Sequence, residues 1–301
     1  MKKDRKKNLR IARTLALIPI AAAILFGILY PLIFGKSHLR RVTYPAGQAE
    51  TVGTDKEMTV WFFDVGQADA SLIRTPDGKY LMIDAGSNES EKLLAAYLKE
   101  LGVKKIDTLF LSHGHEDHIG GADLLIRDFG VSRIVINRYP DDSVTAEKLL
   151  RAVNDRDLKL SLPENGEIFV CGDLNITVML PVTETGDNND CAVYRVQYGN
   201  TVLLYTGDVE AEGEKRLLSD FPLLMNSDVL KTGHHGSSSS TSEAFLERVS
   251  PAYAVISCGA ANEYGHPNEE VLERLNSAGC KVSRTDLDGT IVFRSDGENL
   301  Y

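Results

Sequence analysis

The stretch Ser112-His113-Gly114-His115-Glu116-Asp117-His118 restricts the fold of this chain more than any other. Three of the seven histidines fall within six residues, beside Asp117 and directly after the apolar run Ile106 to Leu111. Imidazole nitrogen and carboxylate oxygen are the donors that zinc and its neighbours prefer, so a strand that feeds this loop predicts a divalent-metal site. The His113-x-His115 spacing lets two rings converge on one ion, and the adjacent Asp117-His118 pair then faces a second.

Residues 15 to 34 carry no charge and are almost wholly apolar, about the 20 residues that a bilayer crossing needs. Seven Lys and Arg precede them, against the single acid Asp4. This bias predicts a retained single-pass anchor with the N-terminus inside and the remainder extracytoplasmic. A cleaved signal peptide competes, but the apolar run is longer than such a segment needs. It ends in Leu32-Ile33-Phe34-Gly35-Lys36 without a small-x-small site. The expected division is a basic cytoplasmic tail at 1–14, the membrane anchor at 15–35, a linker at 36–57 and a hydrolase domain at 58–301.

The formal net charge is −10 although the first thirteen residues are strongly basic, so the body is more acidic still. Such a body has no long-range attraction for polyanions, and a phosphate substrate must be held locally. The four cysteines, Cys171, Cys191, Cys258 and Cys280, form no Cys-x-x-Cys pair and read as isolated core residues.

Apolar periodicity with Gly, Pro and Asp punctuation predicts strands at 58–63, 71–74, 80–83, 106–111 and 133–136. Helices are expected at 89–101, 119–129 and 146–153. A β-rich run follows over 168–170, 174–180, 191–198 and 201–205. Helices at 210–219, 242–249 and 268–278 then alternate with strands at 229–230, 254–257, 281–283 and 290–293. The fold class is α/β, with two sheets packed together and helices outside in four layers. Sites in layered α/β proteins gather in loops at strand ends.

Asp84 closes one predicted strand, Gly207-Asp208 closes another, and Lys231-Thr232-Gly233-His234-His235-Gly236-Ser237 follows a third. In this order, with the His-x-His-x-Asp-His run, the set resembles the signature of the metallo-β-lactamase superfamily from about Met58 to Arg294. That resemblance implies a four-layer αββα sandwich, here preceded by one transmembrane helix. Phe63-Asp64-Val65-Gly66-Gln67-Ala68-Asp69-Ala70, Asn188-Asn189, His234-His235-Gly236-Ser237 and Tyr264-Gly265-His266-Pro267 are similar to the lactamase-like domain of the ComEC DNA-uptake family. Ala68 stands where that family carries glycine, and one crossing replaces its many-helix channel. Choline-phosphate esterases carry a similar Asp-Val-Gly-Gln opening.

The resemblance implies one or two ions, zinc or manganese. His113 and His115 would hold the first, Asp117 and His118 the second, with Asp208 bridging and His234 completing the second site ahead of His235. Asp117, Asp208 and His266 form the expected catalytic set, with His266 a general acid or phosphate donor. Asp84 would hold a ligand imidazole by its other N–H, and Asp69 would orient a ligand or water. No histidine lies between His118 and Asp208, so the first site has only His113, His115 and Asp208 unless Asn188, Asn189 or Asp190 lends an oxygen, and the second would bind more tightly. Ser237 would donate to phosphate. The expected activity is hydrolysis of a phosphodiester, DNA foremost, by a metal-activated water. The alternatives are hydrolysis of a choline-phosphate ester, lactone, thioester or β-lactam, or a non-enzymatic metal-stabilised surface domain.

Overall fold

The first strand of the N-terminal sheet comes from the segment expected to be a linker: β1 (Val42–Thr43) pairs antiparallel with the last strand of the chain. The computed structural model describes residues 42–43, 56–181, 183 and 187–301. The basic tail, the expected membrane anchor and nearly all of the linker lie outside the described residues. No helix among the described residues is long and apolar enough to cross a membrane.

The first sheet continues with β2 (Met58–Phe62), β3 (Ala70–Arg74) and β4 (Tyr80–Ala85) as antiparallel neighbours. Helix α1 (Glu91–Glu100) then carries the chain back so that β5 (Thr108–Leu111) pairs parallel with β4. Helices α2 (Glu116–Ile119) and α3 (Ala122–Asp128) lead to β6 (Ile134–Ile136), and α4 (Val144–Asp155) to β7 (Leu160–Ser161). The second sheet begins with the antiparallel run β8 (Ile168–Cys171), β9 (Leu174–Met179), β10 (Val193–Tyr198) and β11 (Thr201–Tyr205). It turns parallel through α5 (Ala211–Asp220), β12 (Val229–Lys231), α6 (Glu243–Val249), β13 (Tyr253–Ile256), α7 (Glu269–Ser277) and β14 (Lys281–Arg284). After α8 (Thr285–Asp288), β15 (Ile291–Ser295) crosses back between β1 and β2. The sheet orders are β1-β15-β2-β3-β4-β5-β6-β7 and β14-β13-β12-β11-β10-β9-β8.

Strand alternation builds the layers, because successive side chains point to opposite faces. On β5, Leu109 and Leu111 join the cluster under α1, α3 and α4, with Leu94, Leu98, Leu125 and Leu149. Phe110 between them packs edge-on against Tyr194 of β10 at 5.3 Å and Phe169 of β8 at 5.7 Å. Phe62 stacks on Tyr205 at 5.4 Å in the same way. Aromatic rings thus fill the space between the sheets. A separate cluster of Leu204, Leu230, Leu217, Phe245 and Leu275 seals α5, α6 and α7 onto the second sheet. All four cysteines are free and buried, as expected of core residues.

The helix expected at 119–129 is two helices. Helix α2 starts earlier, at Glu116 inside the metal loop, and Gly120-Gly121 separates it from α3. Neither glycine has room for a side chain. A Cβ on Gly120 would lie 2.2 Å from the Asn88 nitrogen, and one on Gly121 would lie 2.5 Å from the Ala85 oxygen. Only a chain without side chains passes this close to the β4–α1 turn. The short elements β7 and α8 carry too few residues to show a period.

Candidate metal centre

Four loops at one rim of the two sheets deliver the chemistry. Asp84 is the next-to-last residue of β4, the histidine run follows β5, Asp208 follows β11, and His234 and His235 sit in a 3₁₀ turn after β12. The Asp84 backbone has φ of 56°, a left-handed conformation rare outside glycine. Its carboxylate accepts from the Ser112 backbone N–H at 2.7 Å and the Ser112 hydroxyl at 2.9 Å, which fixes the start of the histidine loop.

Ligand atoms of Asp117, His118, Asp208 and His235 all lie within 4.8 Å of one another, and those of His113, His115 and Asp208 do the same. Asp208 belongs to both groups, one oxygen to each. Its Oδ1 is 3.2 Å from His118 Nε2 and 3.8 Å from His235 Nε2. Its Oδ2 is 3.9 Å from His113 Nε2. The opposite ring nitrogens are engaged elsewhere: His118 Nδ1 with Asp84 Oδ2 at 2.9 Å, His113 Nδ1 with the Ser112 hydroxyl at 3.0 Å, and His235 Nδ1 with the Ser257 carbonyl at 2.9 Å. Such partners orient a ligand imidazole so that Nε2 faces the ion. Nε2 of His113 and of His118 and Oδ1 of Asp208 are buried and make no hydrogen bond. Polar atoms so orphaned are costly unless a cation satisfies them. The donor set fits borderline divalent ions.

The electrostatics agree. Burial, reinforced by His118, drives the His113 imidazole well below its ordinary pKa, leaving it neutral and ready to donate a lone pair. Burial acts the same way on His118, but Asp208, Asp117 and Asp84 outweigh it and raise that ring well above the ordinary value. Against the same burial, Asp208 and Asp69 lift His235 to about 10. Burial opposes ionisation of Asp117, yet His118 and His235 hold it down to about 2. This field of carboxylates favours positive charge between His118 and His235, within the group that Asp117 and Asp208 complete.

His234 was expected ahead of His235, but it is His235 whose ring the structure brings together with Asp117, His118 and Asp208. Both residues are left-handed, with φ of 47° and 52°, and the turn sends their rings apart. His235 Nε2 approaches Asp117 Oδ2 at 3.1 Å. His234 stands outside both donor groups; its Nε2 is 3.9 Å from Asp208 Oδ2, and its Nδ1 faces Glu210 at 3.3 Å and Asn188 Nδ2 at 3.4 Å. We expect His235→Ala to lower metal content under metal analysis, and His234→Ala to leave metal binding beside Asp117 and His118 in place.

Asn188 Oδ1 is buried without a partner, whereas Asn189 Oδ1 accepts from the Glu210 and Gly213 backbone N–H groups and serves the start of α5. His266 lies with its ring 5.6 Å from that of His234 and its Nδ1 3.4 Å from Gln67 Nε2. The Ser237 hydroxyl bonds Ser239 at 2.9 Å. Asp69 faces the back of the centre: its Oδ1 is 3.4 Å from His235 Nδ1, and its Oδ2 is 2.8 Å from the Lys231 ammonium. Lys231, the last residue of β12, is almost wholly buried. Ser112 and Ser257 were not singled out; their signal is adjacency to the strand ends that carry the ligands.

Comparison with known proteins agrees with this architecture. The chain is 34% identical over 257 residues to ComE operon protein 3 of Bacillus subtilis, covering 79% of this chain and 33% of that protein. It is 34% identical over 241 residues to competence protein ComA of Neisseria gonorrhoeae, covering 78% and 32%. The chain therefore spans about a third of the length of these curated relatives. Among solved structures, the metallo-beta-lactamase fold protein YhfI of Bacillus subtilis superposes with a TM-score of 0.54 at 16% identity, over 79% of this chain and all of that one, a likeness of fold. The model of the metallo-beta-lactamase superfamily matches residues 63–260, and with the two donor groups of the centre on the same rim, the chain belongs to that superfamily.

Proposed function

We propose that this chain is a metal-dependent phosphodiesterase that cuts DNA, held at the cell membrane by residues 15–35 with its catalytic domain outside. The observation that carries the reading is Asp208, whose two carboxylate oxygens face two separate donor groups. The similarity to competence proteins adds DNA as the polymer. His113, His115 and one Asp208 oxygen would hold one ion; Asp117, His118, His235 and the other oxygen would hold its neighbour. Ions held by these residues would supply the positive charge needed to activate a water and to neutralise phosphate oxygens.

The protein residues do the rest. Asp84 and the Ser257 carbonyl keep His118 and His235 in the tautomer that presents Nε2. Burial and the adjacent His234 lower the His266 pKa, so its ring acts on substrate as a neutral hydrogen-bonding group. Manganese is a rival to zinc because oxygen donors contribute to both groups.

The test is incubation of the full chain in detergent with single-stranded DNA, a choline-phosphate ester and nitrocefin, with manganese or zinc. DNA fragments that vanish with chelator are the expected result. Turnover of nitrocefin alone would transfer the reading to amide hydrolysis. Metal binding without turnover of any substrate would make the domain non-enzymatic. Protease treatment of intact cells tests the location: the catalytic domain should be digested.

A further inference from the structure

A cleft of about 190 Å³ opens beside the metal centre, walled by His113, His115, Arg138, Pro140, Ser143 and Thr145. His113 is shared between cleft and centre; it is 3% exposed, and its Nε2 has no hydrogen-bond partner. Arg138 is the one permanently cationic side chain among the described lining residues. Ser143 and Thr145 bring the N-terminal end of the twelve-residue α4 to the same wall, where the helix dipole favours negative charge. Asn88 ties that end to the metal loop, donating to Thr145 Oγ1 at 2.8 Å and to Glu116 Oε1 at 2.7 Å. Glu116 is fixed by this bond but keeps its charge, and with Asp141 it is one of two carboxylates in the wall that Arg138 must offset.

The Arg138 guanidinium is held at the cleft by Asp190, at 3.3 Å, and Asp141, at 3.5 Å. The Asp141 side chain is 85% exposed, so that pair is solvent-screened and readily exchanged. A phosphate presents two oxygens to the guanidinium fork and displaces it on better terms, while Asp190 keeps the arginine in position. The acidic body supplies no long-range attraction, which makes a local cation necessary.

Resting on the phosphodiesterase reading, we infer that this cleft is the subsite for the phosphate adjacent to the scissile one along the substrate strand, gripped by Arg138 and the α4 N-terminus. The subsite separates substrates by phosphate number. A small diester with a single phosphate reaches the ions without it, and a polynucleotide uses both.

The experiment compares the full chain with Arg138→Gln and Arg138→Lys on bis(p-nitrophenyl) phosphate and on a fluorescein-labelled DNA 12-mer. Arg138→Gln should raise KM for the 12-mer roughly tenfold or more and flatten its salt dependence by about one charge. Its kcat, its metal content and its kinetics on the small diester should match wild type. Arg138→Lys should fall between. An unchanged KM on the 12-mer, or an equal loss on both substrates, would overturn the subsite and leave the phosphodiesterase reading standing. If wild type cleaves neither substrate, that reading fails by itself. Fluorescence anisotropy of the 12-mer with manganese then decides the subsite: weaker binding by Arg138→Gln upholds it, and equal binding removes it.

Discussion

Replacing Asp208 by asparagine is expected to lower hydrolysis by about three orders of magnitude, roughly 4 kcal/mol of transition-state stabilisation, while the protein stays folded. Among the described residues Asp208 is the side chain common to both donor groups. Its carboxylate is 2% exposed and is held well below its usual pKa against the pull of burial, by His118 first and then by His235 and His113. Asparagine keeps the shape but turns an amide N–H₂ toward one group and removes the negative charge from both. Metal analysis should therefore show loss from both positions, in contrast to His235→Ala. The thermal midpoint measured in chelator near neutral pH should fall, because a carboxylate whose pKa is depressed by His118 and His235 contributes stability that asparagine gives up. A variant that kept two ions and wild-type turnover would remove the bridging role and the proposed chemistry with it.

Much of this centre was legible in the sequence for a physical reason. Its donors sit at the ends of apolar runs, and a buried strand is visible as such a run whether or not its neighbours are known. The four-layer stacking was also legible, because β5 alternates Leu109, Phe110 and Leu111 between two buried faces. What was not legible depends on contacts between distant segments or on single backbone angles. The order of His234 and His235 is an example: adjacency gives neither ring a direction, and two successive left-handed residues decide it. The close approach of Gly120 to Asn88, between α2 and α3, is another. The return of β15 to the first sheet, beside β1, is invisible to local pattern. Lys231 looks in sequence like an ordinary surface charge, and only its approach to Asp69, distant in the chain, reveals it as a buried one.

Lys231→Met is expected to be the most destabilising single change near the centre. Lys231 ends β12 on the face opposite Leu230, which packs under the helices, so its side chain enters the protein interior with 2% exposure. There its ammonium donates to the Thr232 carbonyl at 3.0 Å and lies 2.8 Å from Asp69 Oδ2. Burial alone would raise the Asp69 pKa, yet Lys231 and then His235 keep it below its ordinary value. A depressed carboxylate contributes stability above its unfolded pKa of about 3.9, and that stability is lost as pH falls through the folded value. Methionine fills the volume of lysine but leaves Asp69 a buried charge without its ammonium. Breaking such a pair from one side costs about 3–5 kcal/mol, which for a domain of this size lowers Tm by roughly 6–20 °C. The double variant with Asp69→Asn removes both charges and should recover most of the loss. Ion content should persist in Lys231→Met, since the Nδ1 contact of His235 with Ser257 does not involve Lys231. The two substitutions therefore separate the charges that hold metal from the charge that holds the fold beneath it. An unchanged melting curve for Lys231→Met would mean that water, rather than the ammonium, compensates Asp69.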